Sequence, residues 1–247
     1  MKAYIISCVL IACANYVFAQ AGASLDVNTP GNSNGYGLVR FSNPSAGNGK
    51  IGDVDMDEVA GSPYYNTNWG PAVIVLLHDK PVKVLKARLN LCNNELHYID
   101  TNNTEMVVDD RNVKKVFFMD GKDTSKVTAL FQVIQNFNGK VGGTYMQALN
   151  TGTIQLLKLN VVEVKKRDYD VMSGKTSYSF QPNTSYLFLR DGNLLPCKTL
   201  SKADIFTVLL PDAAANSWLV TNKNKLRNEK EVTSFLAYYN VALTPGR

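Results

Sequence analysis

His78 and His97 are the only two histidines in 247 residues, so imidazole chemistry near neutral pH falls to one of them. His78 precedes Asp79 in a turn-like His-Asp-Lys-Pro segment, and His97 shares a period-two face with Glu95 and Ile99. A hydrolase needs an acid and a base within hydrogen-bond reach of one substrate. The pairs on offer are Asp79 or Glu95 with His97. A zinc site would need both histidines to converge with a carboxylate or with Cys92, and no ligand spacing indicates that. Both histidines are therefore expected at the surface. No catalytic, cofactor-binding or metal-binding residue is assigned, and no cofactor is expected.

Other motifs imitate chemistry without its setting. Gly31, Ser33 and Gly35 spell G-x-S-x-G, but a nucleophile elbow holds its serine on a strained turn between strand and helix, and neither flanks Ser33. Gly47, Gly49 and Gly52 spell G-x-G-x-x-G, which binds a pyrophosphate only when a helix N-terminus follows. It is not a P-loop either, because Pro44 stands at the first glycine and Ile51 follows Lys50. Asp53, Asp55 and Asp57 resemble the start of a calcium loop. Glu58 replaces its central glycine and Tyr64 its bidentate glutamate.

The elements that must position any site are mostly strands. From Pro71 onward, short β-type runs are broken by turn residues at His78 to Pro81, Asn93 and Asn94, 101–103, Asp109 and Asp110, and Asp120 with Gly121. This spacing predicts an antiparallel meander closing into a sandwich or barrel. Leu85, Ala87, Leu89 and Leu91 alternate with Lys86, Arg88 and Asn90, which predicts one packed and one wet face. Asn138 with Gly139 and Asp191 with Gly192 mark hairpins, because both dipeptides tolerate positive φ. The run "TIQLLKLNVVEVKKRDY" is a long, bent strand between them.

The last part of the chain changes period. Ser201 with Asp204 resembles a capping box, Pro211 ends that helix, Asp212 caps a second, and Asn228 with Glu231 caps a third. Val232, Phe235, Leu236 and Tyr239 form one apolar stripe. The predicted fold is mainly β with a C-terminal cap of two to three short helices. Its segments are a signal peptide at 1–19, a Gly/Asn/Ser/Pro-rich flexible leader at 20–52, a β domain at 53–199 and a helical cap at 200–241.

The first segment has the parts of a secretory signal: Lys2, an apolar stretch from Ala3 to Ala14, and Val17, Phe18 and Ala19 before a cut at Gln20. Leu10 to Cys13 also fits a lipobox, with lipidation at Cys13. The apolar stretch continuing to Ala19 favours the cut at Gln20. No segment reads as a transmembrane span. Losing Lys2 takes the formal net charge from +5 to +4, too weak and too scattered for nucleic acid. The runs Lys165, Lys166, Arg167 and Lys223 to Arg227 read as solvated surface. Cys92 and Cys197 are either two free, partly buried thiols or, in an oxidising compartment, a disulfide.

The signal ending "FAQ", the "GSPYY" at 61–65, the "KARLNLCNNELHYID" at 86–100 and the C-terminal "SYLFLRDGNLLPCKTLSKADIFTVLL…NKLRNEKEVTSFLAYYN" together resemble a set of uncharacterised exported proteins of Bacteroidota. The resemblance covers roughly residues 54–240 and carries no catalytic motif. It implies a periplasmic or outer-membrane-associated protein without known enzyme activity. The expected function is a non-enzymatic envelope protein that binds or scaffolds an envelope protein or ligand through its β domain. The alternatives are a hydrolase with a hidden acid/base pair and a lipocalin-like carrier with an apolar cavity of at least ~300 Å³.

Overall fold

A computed structural model describes residues 25–26, 39–40, 56–170, 172, 175–211 and 213–242. Ser33, the glycine motif at 47–52, Asp53, Asp55, the signal segment with Cys13 and the cap residue Asp212 lie outside the described residues.

Thirteen strands among the described residues join one sheet. In chain order they are β1 (Leu25–Asp26), β2 (Val39–Arg40), β3 (Val59–Ala60), β4 (Gly70–Leu76), β5 (Pro81–Asn90), β6 (Glu95–Ile99), β7 (Glu105–Val108), β8 (Val113–Met119), β9 (Val127–Gln135), β10 (Gly143–Ala148), β11 (Ile154–Asp170), β12 (Lys175–Arg190) and β13 (Asn193–Cys197). Three helices follow: α1 (Lys202–Leu209), α2 (Ala213–Thr221) and α3 (Glu229–Ala242). The protein is mainly β with a C-terminal helical cap, as its periodicity predicts.

The spatial order β13-β12-β11-β10-β9-β8-β4-β5-β6-β7-β2 departs from a simple meander. After β7 the chain crosses back, and β8 pairs antiparallel with β4. β1 and β3 add short parallel pairings, to β5 and β12. The sheet does not close into a barrel. It curls until a side chain bridges the gap: Asn94, in the β5–β6 turn at φ 58°, donates from Nδ2 to Gly143 O (2.7 Å) and accepts from Tyr145 N (3.0 Å). Asn94 thus serves the edge of β10 where a further strand would stand. Inside the curl, Phe131 and Phe118 meet edge to face at 5.8 Å, and Tyr65 meets Phe131 at 4.9 Å. These rings pack the inside of the curl.

The predicted alternation in β5 fails at one point, for a local reason. Gly70 pairs with Ala87 and Ala72 with Val84, so β5 carries one residue more than β4 across this step. This is a β-bulge, and it reverses the facing of the strand. Val82 and Val84 point inward before it, Ala87 and Leu89 after it, and Leu85 is left 68 % exposed. Asn90, expected on the wet face, is buried, and its Oδ1 accepts from the Cys92 and Asn93 amides.

The turns follow their chemistry. Asp191 and Gly192, at φ 50° and 78°, form a two-residue loop that sets Arg190 opposite Asn193. The loop at Asn138 is longer than predicted, with a 3-10 turn over Phe137–Gly139 and positive φ at Asn136 and Asn138.

β11 and β12 form a hairpin of 17- and 16-residue arms. Near its base both faces are covered, which explains the unbroken apolar run. Ile154, Leu156 and Phe188 face the helices, while Leu157 and Leu187 face the opposite side with Met146. Ser201 Oγ accepts from Asp204 N (3.2 Å) to cap α1, and Asn228 Oδ1 accepts from Glu231 N (2.9 Å) to cap α3. Val232, Phe235, Leu236 and Tyr239 are buried against the sheet, as the stripe requires.

Candidate functional site

The densest polar constellation lies on the outer face of β5, β6 and β7. Arg88 stands directly opposite His97 in the ladder, and Glu105 is two residues from His97's partner on β7, Val107. The period of two therefore puts all three side chains on one face. Glu105 Oε1 accepts from Arg88 Nη2 (2.9 Å) and contacts His97 Nδ1 at 2.6 Å. On the other side of the ring, His97 Nε2 lies 3.4 Å from Glu95 Oε2, within ion-pair reach but without hydrogen-bond alignment.

The segment between β3 and β4 folds over this face. Its Tyr65 amide donates to Leu89 O (2.9 Å), and Leu91 N donates to Pro63 O (2.8 Å). Tyr65 enters the core, whereas Tyr64 and Trp69 close around the Arg88 guanidinium, at 3.9 and 4.1 Å from their ring centroids. An arginine between two aromatic faces keeps its charge while losing water on both sides.

These contacts shape the titration of the carboxyls. Burial raises Glu105, but hydrogen bonds from His97 and Arg88 outweigh it and hold the group below the ordinary carboxylate value. The close approach of His97 lowers Glu95 against its own desolvation. Tyr64 is raised, first by burial, and stays a neutral phenol at neutral pH.

His97 is 1 % exposed, which corrects the expectation of a surface histidine. The two adjacent hairpin strands and the overlying segment enclose it, and of these only the overlying segment is distant in sequence. His78 is exposed, as expected. Glu95 lies 3.4 Å from His97 without a hydrogen bond between them. Asp79 pairs elsewhere: its Oδ1 accepts from Lys114 Nζ (2.6 Å) at the exposed β4–β5 turn. Among the described residues, no serine, threonine or cysteine side chain hydrogen-bonds to His97, and no group of three His, Cys, Asp or Glu could hold a metal ion. The arrangement confines charge and clamps the overlying segment to the sheet.

Arg88, Glu105, Tyr64 and Trp69 were not singled out by sequence. The outward phase of Arg88 and His97 is visible in the alternation, but the aromatic lid is not. Cys92 and Cys197 are free thiols, both raised above the ordinary value by burial.

A second feature lies on the sheet face opposite the helices. Ile134, near the end of β9, and Phe137, in the β9–β10 turn, line an open cleft of about 680 Å³ with Leu159, Leu187, Leu194 and Pro196. Gln135, Asn136, Asn138 and Lys198 contribute its polar rim. No helix among the described residues is long and apolar enough to cross a membrane. Searches of protein-family models, curated proteins and solved structures return no match to this chain.

Proposed function

We propose that this chain is an exported envelope protein that binds or scaffolds a partner or ligand through its β domain, without catalysing a reaction. The observation that supports this is the asymmetry of the C-terminal sheet. One face is sealed by three helices, while the other keeps an open apolar cleft of about 680 Å³ between Phe137 and Leu194. Binding sites of small ligands and peptides are concave and mostly apolar, with a few polar groups at the rim. Export is proposed from the signal segment, with release before Gln20 into the periplasm or at the outer membrane.

The test places a photocrosslinking residue at Leu194, in the cleft, or at Val220, 74 % exposed on α2, in protein expressed in its own envelope. A discrete adduct from position 194 and none from 220 supports the proposal. Equal labelling from both positions overturns it. So does turnover of a generic esterase, phosphatase or glycosidase substrate that a point substitution abolishes.

A further inference from the structure

The apolar cleft runs across the sheet and not along one strand. Its lining comes from β9, β11, β12 and β13, and β9 lies four inter-strand steps from β13, roughly 19 Å along the sheet. Met146, Leu157 and Leu187 are buried on this sheet face, and the half-buried Ile134, Phe137, Leu159 and Leu194 pack against them. Such a trough suits an occupant that is long, thin and apolar.

Charge enters the lining at one corner. Lys198 is the one charged residue that borders the cleft, and no aspartate or glutamate does. Leu187 stands opposite Pro196, so two residues further along each chain Ser185 and Lys198 come to the same end of the cleft. Leu159, opposite Ser185, joins this corner to the apolar part. Lys198 is exposed. Asp204 feels its charge but takes its hydrogen bonds from the Thr199 and Ser201 hydroxyls, and the two form no ion pair. The opposite end, at the β9–β10 turn, carries only the neutral amides of Gln135, Asn136 and Asn138.

We infer that this cleft holds a fatty acid, with the acyl chain on the apolar face and the carboxylate at Lys198 and Ser185. The inference rests on the proposed use of this face for binding. An ammonium and a hydroxyl both donate to a carboxylate, and the charged donor makes the stronger bond. An extended peptide fits less well. β13 is the end strand of the sheet, and Arg190 and Asn193 close its two-residue loop as a hydrogen-bonded pair. Leu194 and Pro196 therefore direct their backbone groups outward, and Pro196 has no N–H to give, which disfavours strand addition along this edge.

The experiment titrates the full chain, freed of co-purifying lipid, with laurate, 1-dodecanol and phosphatidylglycerol vesicles by calorimetry. Laurate is expected to bind saturably and more tightly than dodecanol. Lys198→Glu should weaken laurate by at least about tenfold, the scale of losing one charge-assisted contact, and leave dodecanol unchanged. Leu194→Asp should weaken both. Lys223→Glu, just after α2, should affect neither. Lys198 and Lys223 are exposed, so the melting curves of their variants should superimpose on the wild type. Absent laurate binding, equal loss of laurate and dodecanol in Lys198→Glu, or tighter binding of the vesicles would each overturn the inference. If the crosslinker at position 194 still gives its discrete adduct in that event, the fatty acid alone is excluded; if the adduct is missing too, the binding face falls with it.

Discussion

Asn240 on α3 and Ile154 at the start of β11 exchange two hydrogen bonds: Ile154 N donates to Asn240 Oδ1 (2.7 Å), and Asn240 Nδ2 donates to Ile154 O (2.9 Å). A buried amide side chain thus supplies both backbone groups of a buried strand residue, 86 positions away in sequence, and ties the cap to the sheet. Asn240→Ala would leave Ile154 N without a partner, while Ile154 O keeps its hydrogen bond from Asn150 Nδ2 (2.9 Å). It should cost roughly 1–3 kcal/mol, measured by urea unfolding.

Gly152 packs under the same amide. It sits at φ +124°, and an added Cβ would lie 2.5 Å from Asn240 Nδ2. Gly152→Ala should therefore destabilise by about 2 kcal/mol or more. Combined with Asn240→Ala, the loss should be less than additive, because the first change removes the obstacle. A fully additive double variant would show that backbone strain alone sets the cost.

The bulge in β5 makes opposite predictions for two leucines that simple alternation treats alike. Leu85→Lys should change stability by no more than about 0.5 kcal/mol, because the side chain is exposed. Leu89→Lys should unfold the chain, since Leu89 is wholly buried and a lysine there has no partner. Far-UV circular dichroism of the two variants distinguishes bulge from unbroken strand.

Acid should loosen the clamp over β5 to β7. Glu105 and Glu95 titrate below their ordinary value in the folded state. Their contribution is therefore complete above the unfolded carboxylate pKa and disappears as pH falls through the lower, folded one. Wild-type stability should fall across this acid window, and Glu105→Gln should flatten the fall while lowering stability at pH 7. Trp69 fluorescence should report the clamp opening, given that its ring covers Arg88. An unchanged pH profile in Glu105→Gln would remove Glu105 from this role.

In the cap, Phe235→Ala should cost ~3–5 kcal/mol, as its ring is fully buried and stacks on Tyr239 at 5.3 Å. Leu210 ends α1 at φ 48° with 78 % of its surface exposed. Leu210→Gly should raise stability by up to about 1 kcal/mol, because glycine takes this conformation without strain. A fall in melting temperature would show that the leucine contributes contacts worth more than the strain it carries.

What the sequence determined by itself is what short-range physics controls. Ser201 and Asn228 cap helices because their side chains reach an amide three residues on, and the Val232 to Tyr239 stripe faces inward because helical period leaves one apolar side. Asp191 and Gly192 turn the chain because both accept positive φ. Such preferences act over a few residues and survive any tertiary arrangement.

The tertiary structure alone decided the rest. The bulge at Leu85 appears only when β5 is matched to β4, and the return of β8 to β4 is a long-range pairing without a local signal. His97 reads as exposed from its strand pattern, since alternation says which face a residue takes and not what covers that face. The cover comes from Tyr64 and Trp69, and the charge partners from Arg88 and Glu105 on two neighbouring strands. Burial and ion pairing are properties of chain segments brought together, and the entropy lost in bringing them is offset only by the assembled core.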